Sequence, residues 1–102
     1  MLLGVGPDGH TASLYPGHEE ELAAPGPVVH VPEPGMPPPH PRLTFSLAYV
    51  NAQPLVAFLV GGAAKREVLA RMLAGDQSLP AARVRAARTV VLADEAAAPE
   101  AR

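Results

Sequence analysis

"PLVAFLVGGAAKREVLARMLAG", residues 54–75, joins an unbroken apolar run to a helical pattern through two glycines. Leu55 to Val60 is continuous and partly β-branched, which fits a parallel strand covered on both faces. Gly61-Gly62 ends it. Beyond, Val68, Leu69, Met72 and Leu73 recur at helical spacing and form the buried face, which Ala64 extends by one turn. Glu67 and Arg71 stand at i, i+4 on the wet side, and Gly75 occupies the position of a helix stop. A strand that turns tightly into a helix is half of a β-α-β unit, so the flanking segments decide whether a layered sheet follows.

Downstream, Asp76 to Pro80 is a loop, and Pro80 can open a short helix through Arg83. Thr89-Val90-Val91-Leu92 is a last strand, and Asp94-Glu95 leads into a frayed, alanine-rich tail. Upstream, Leu43-Thr44-Phe45 is a brief strand, and Ser46 caps a short helix to Asn51. Phe45, Tyr49 and Phe58 read as core residues. Residues 25–41 hold eight of the thirteen prolines. Val28 to Val31 is a short strand within them. "PEPGMPPPHP", residues 32–41, is excluded from helix and central strand. It reads as an extended, polyproline-like crossing loop, and a plain linker is its simplest reading by composition. His18 to Leu22 suits one helical turn. Thr11 to Tyr15 suits the start of a helix, with Asp8 or Thr11 as cap and Pro16-Gly17 as stop. Leu2 to Val5 is a short buried strand.

Alternating strands and helices predict an α/β, Rossmann-like layered fold with a mainly parallel sheet. With the brief segments Val28–Val31 and Leu43–Phe45 counted as partial, about four strands are countable where such sheets usually hold ~5 or more. Residues 1–102 therefore read as one domain that is incomplete, the back half of a larger unit. Chemistry-bearing residues already appear within the first ten, as expected of a truncated or late-starting chain.

Composition narrows the function classes. The chain has 102 residues, 48% hydrophobic and 18% charged, which argues against wholesale disorder. A net charge of −2 gives no electrostatic reason to expect nucleic acid or an anionic membrane as partner. With no cysteine, disulfides and thiolate chemistry are excluded, and a reducing, cytoplasmic setting fits. The start has no basic region of a signal peptide, and no segment approaches the ~20 apolar residues of a membrane span.

"GVGPDGHTAS", residues 4–13, carries the most chemistry. Its glycines permit a tight turn at the carboxyl end of a strand, where open α/β sheets bind ligands. His10 can act as a general base near neutral pH, because an imidazole titrates at about 6.5. Asp8 can accept a hydrogen bond from its other nitrogen and hold the tautomer. Backbone N–H groups around Gly9 and Thr11 can face an oxyanion or phosphate. A glycine-rich turn with a surface histidine is the plainer alternative. Lys65, in the first turn after Gly61-Gly62, opposes the helix dipole unless an anion sits there. The spacing is not that of a Walker A loop. Arg42 can reach a carboxylate or phosphate, although a solvated side chain is the simpler reading of both cations. His18, His30 and His40 have no companions at metal-ligand spacing and read as surface residues.

"LLGVGPDGHTASLYPG" strongly resembles the glycine-rich segment of 6-phosphogluconolactonases. "RLTFSLAYVNAQPLVAFLVGGAAKREVLARMLAGDQSLPAARV" looks like its continuation. The resemblance runs from residue 2 to about 97 and maps onto the C-terminal part of the family pattern; the N-terminal half, with its own sugar-phosphate loop, has no counterpart. Related glucosamine-6-phosphate deaminases carry a similar Asp-Gly-His but place a glutamate five residues after the histidine, where this chain has Tyr15. The resemblance implies hydrolysis of 6-phosphoglucono-1,5-lactone to 6-phosphogluconate in the oxidative pentose phosphate pathway, without metal or organic cofactor. It implies that His10 activates water, Asp8 orients His10, and Lys65 meets the substrate phosphate. Arg42 is a weaker carry-over to the pocket. A deaminase or isomerase relative is disfavoured by Tyr15. A catalytically silent sugar-phosphate-binding fragment is the other alternative, with a bare sheet face inviting self-association or a missing N-terminal half. The isolated chain is expected to be poorly active.

Overall fold

The apolar run does become a strand. In the computed structural model, which describes residues 1–99, it forms β4 (Val56–Val60). The other strands are β1 (Leu2–Leu3), β2 (Val28–Val31), β3 (Arg42–Phe45) and β5 (Thr89–Ala93). The helices are α1 (Glu19–Leu22), α2 (Leu47–Asn51) and α3 (Arg66–Leu73). Single 3-10 turns occupy Ala63–Lys65, directly before α3, and Pro80–Arg83.

The fold is α/β with a parallel sheet in the order β1-β4-β5. Leu2 aligns with Ala57 on one side of β4, and Leu59 aligns with Leu92 on the other. Two of the counted strands leave this sheet: β2 and β3 pair antiparallel, Val29 opposite Thr44, as a separate ribbon. They are close in sequence with no helix between them, so a parallel crossover is not available to them.

The core forms on one side of the sheet. Val56, Phe58 and Val60 of β4 pack with Val68, Leu69 and Met72 of α3 and with Leu79, Ala81 and Val84. Alternation sends the residues between them to the opposite face. There Leu2, Leu59 and Leu92 are 65%, 59% and 55% exposed. The expectation that β4 is covered on both faces is thus corrected. α3 and the Pro80–Arg83 turn both lie on the Phe58 side, and among the described residues nothing covers the other.

Other local expectations change for physical reasons. Leu73 and Ala64 are exposed, so the buried stripe of α3 is narrower than its apolar pattern. Arg71 does not pair with Glu67. It reaches Asp76 at 2.7 Å, beyond a helix stop in which Gly75 N–H donates to Met72 O and Asp76 N–H to Arg71 O. Hydrogen bonds from Ser78 and Arg71 lower the Asp76 carboxyl to about 2. Phe58 is core, but Phe45 and Tyr49 stack on each other at the surface, ring centroids 4.9 Å apart. The tail after β5 is tied down: Asp94 accepts from Ala97 N–H at 2.8 Å, and Ala97 is fully buried. Residues 100–102 of that expected tail lie outside the described residues.

Ser46 does cap α2, its hydroxyl accepting from Tyr49 N–H at 2.9 Å, and it is fully buried. Ser46→Ala is expected to destabilise the chain by about 1 kcal/mol, the usual worth of such a cap. Urea denaturation reads this as a lower midpoint at unchanged slope. An unchanged midpoint would assign the start of α2 to packing alone.

Candidate active site

The loop after β1 closes on itself. Gly6 O accepts from Gly9 N–H at 2.9 Å, making a β-turn with Pro7 at the corner whose φ proline presets. Gly6 N–H donates to His10 O at 2.8 Å. Between these two bonds the Asp8 side chain folds back over its own loop. Its Oδ1 accepts from His10 N–H at 3.1 Å and lies 2.5 Å from His10 Nδ1. A carboxylate can only accept, so Nδ1 carries the proton, and in the neutral ring Nε2 keeps its lone pair. Among the described residues Nε2 has no hydrogen-bond partner, and it is not sealed from solvent.

Thr11 to Tyr15 is not the expected helix. The Thr11 hydroxyl donates to Gly4 O at 2.8 Å, which turns the chain back onto β1. Ala12 then takes a φ of 50°, the left-handed region, and Leu14 N–H donates to Thr11 O.

His10 lines a cleft of about 490 Å³ together with Gly6, Tyr15, Met36, Pro37, Arg42 and Lys65, a size suited to a small ligand. Lys65 arrives from the turn before α3. Its Nζ donates to Val5 O, which holds the ammonium beside the carboxyl end of β1. Arg42, at the start of β3, donates from Nη2 to Pro38 O at 3.1 Å. The cleft thus gathers two fixed cations and one imidazole, and no described residue lining it is acidic. Such a lining favours an anionic ligand.

The stretch 32–41 is therefore more than a linker. It is a strap that supplies Met36 and Pro37 to the cleft wall and anchors Arg42. Composition gave no sign of this, because a proline-rich spacer and a proline-rich wall read alike. Asp94, at the end of β5, was also without a signal. Both its carboxylate oxygens lie 3.1 Å from Gly62 N, fixing the glycine turn that delivers Lys65.

Gly9 and Thr11 lie elsewhere. The Gly9 N–H is committed to Gly6 O and its carbonyl accepts from Ala81 N–H at 3.1 Å, while the buried Thr11 hydroxyl is committed to Gly4 O. Neither lines the cleft. His30 and His40 are exposed. His18 pairs with Glu21, Nδ1 to Oε2 at 2.7 Å. Among the described residues no three potential metal ligands come together, and no helix is long and apolar enough to cross a membrane.

Comparison with known proteins gives this geometry a context. The family described as glucosamine-6-phosphate isomerases/6-phosphogluconolactonase matches residues 1–93. The rat 6-phosphogluconolactonase is 44% identical over 96% of this chain. The solved 6-phosphogluconolactonase of Thermotoga maritima superposes with a TM-score of 0.79 over 90% of this chain, at 34% identity. A monomeric glucosamine-6-phosphate deaminase superposes with a TM-score of 0.71 over 95% of this chain, at 25% identity. The chain spans 39% of the rat protein, 41% of the Thermotoga chain and 46% of the deaminase. The chain thus corresponds to part of each of these relatives. The match runs from the first residue through β5 and includes both the histidine loop and the lysine turn, and on that ground the chain belongs to the family of glucosamine-6-phosphate isomerases and 6-phosphogluconolactonases.

Proposed function

We propose that the chain carries the base-bearing part of a 6-phosphogluconolactonase site, hydrolysing 6-phosphoglucono-1,5-lactone to 6-phosphogluconate in the oxidative pentose phosphate pathway. The observation that carries this reading is the Asp8–His10 pair, 2.5 Å apart, opening on a cleft that also holds Lys65 and Arg42. Asp8 keeps the proton on Nδ1, so Nε2 takes one from water as its oxygen attacks the lactone carbonyl. The tetrahedral oxyanion collapses, the ring C–O bond breaks, and Nε2 returns the proton to the departing ring oxygen. Lys65 and Arg42 attract the phosphate and orient the ring. No step calls on a metal or organic cofactor. The reaction fits a cytoplasmic setting, with a small sugar-phosphate lactone as the ligand.

Lactone hydrolysis by the purified 102-residue chain, followed at a pH low enough to suppress spontaneous opening, tests this reading. Where the chain shows a rate above background, His10→Gln is expected to remove it, by up to roughly 10²–10⁴-fold, while the circular dichroism stays unchanged. An unchanged rate in that variant would remove His10 from the base role.

A second reading is favoured by the exposed Leu2, Leu59 and Leu92 on the sheet's bare face. In it, the chain binds sugar phosphate without turning it over, until a second chain or another copy covers that face. A folded chain that binds 6-phosphogluconate but shows no rate above background would support it. Deamination is the less favoured chemistry, because Tyr15 stands where those enzymes carry a glutamate.

A further inference from the structure

We propose that Tyr15 is a positioning residue for His10, and that the backbone of the strap at Gly35 holds Tyr15 in place. The inference rests on the base role of His10 proposed above and extends it to a residue and a segment outside the histidine loop.

A single hydrogen bond to Asp8 fixes one point of the imidazole, not its plane. The last torsion of a histidine is broad, so an unsupported ring can swing away from Asp8 and lose that bond. Tyr15 supplies the missing constraint. It is 1% exposed, and its ring lies against that of His10, centroids 4.9 Å apart and planes at 37°. Its ring also lies near that of His18, centroids 5.7 Å apart, itself held by Glu21. Gly35 packs against the same ring. A Cβ added there would lie 2.9 Å from Tyr15 Cδ1 and 3.0 Å from Cγ, so only a glycine lets the strap backbone lie this close to the ring.

The tyrosine hydroxyl makes no hydrogen bond among the described residues, and what meets His10 is the ring. The ring, not the hydroxyl, is the working part. The strap is thus coupled to the base through one aromatic side chain, although Gly35 is far from His10 in the sequence.

The test is a nitrogen-15 spectrum of the histidine side chains in the 102-residue chain, which needs no turnover. The chain and Tyr15→Phe are expected to show His10 as one Nδ1–H tautomer with the same ring-current shifts. Tyr15→Leu and Gly35→Ala are expected to show mixed tautomers. Where lactone hydrolysis is measurable, both are also expected to lose kcat by roughly 10–100-fold at unchanged KM, the usual penalty of a misplaced group. Gly35 is exposed and, unlike Gly9, has no positive φ, so its variant is expected to stay folded should Tyr15→Leu not. An unaltered His10 tautomer in whichever of the two is folded would overturn the proposal. An inactive chain with the expected spectra would instead count against the proposed reaction and leave the positioning role supported.

Discussion

A chain in which Gly6 is replaced by alanine is expected to stay folded and to lose lactone hydrolysis nearly as completely as one without His10. The reason is a collision in the catalytic pair itself. A Cβ on Gly6 would lie 2.1 Å from both Cε1 and Nδ1 of His10 and 2.9 Å from Asp8 Oδ1, where carbon contacts need ~3.5–4.0 Å. Something must move, and the easiest thing to move is the imidazole, the end of a side chain on two torsions. The loop backbone is held by Gly6 N–H to His10 O and by Gly9 N–H to Gly6 O. The ring therefore swings out and its bond to Asp8 breaks. His10 and Asp8 side chains are 22% and 31% exposed, so the displaced groups find water. The cost in stability is then on the order of 1 kcal/mol, one partly exposed hydrogen bond. The cost in rate is roughly 10²-fold or more, because a base moved by an ångström no longer meets its proton. Melting, hydrolysis and the His10 nitrogen-15 signals together check this. A Gly6→Ala chain with the original rate and a single Nδ1–H tautomer would show that the site tolerates a Cβ there.

This arrangement was readable from the sequence to an uneven degree. The β4-turn-α3 unit and β5 were legible because each carries a local apolar pattern that shows without reference to its partner. The Asp8–His10 pair was legible for the same reason: both ends of the contact sit in one five-residue loop. Thr11 to Tyr15 misled, since its composition suits a helix start. The deciding forces there are a hydroxyl bonded to Gly4 O and a positive φ at Ala12, neither of which has a periodic signature. The exposure of Leu59 was not legible either. Apolar alternation says which residues share a face and not what covers it. The strap was the largest gap, because Gly35 against Tyr15 and Met36 in the cleft wall are contacts between distant segments.

The same substitution three residues further on is expected to give the opposite result. Gly9→Ala is expected to unfold the chain at moderate temperature, whereas Gly6→Ala leaves the fold and removes the reaction. Gly9 has a φ of 90°, where an L side chain is strained by roughly 1–2 kcal/mol. It cannot relax, because its N–H is bound to Gly6 O and its carbonyl accepts from Ala81 N–H. The added Cβ would lie 2.5 Å from Leu79 Cδ2 and 2.9 Å from Leu79 Cβ. Unlike the tip of His10, the Leu79 Cβ sits on the backbone, and Leu79 is 2% exposed within the core that Phe58 and Leu69 share. Overpacking there adds roughly 1–3 kcal/mol. A combined loss of roughly 2–5 kcal/mol is a large part of what a domain of this size holds, and corresponds to a fall of roughly 8–40 °C in Tm. Thermal melts of the two variants beside the parent chain decide the matter. An unchanged Tm in Gly9→Ala would mean that the histidine loop is not clamped to Leu79 and Ala81. The rigidity that His10 needs would then have to come from Tyr15 and the strap alone.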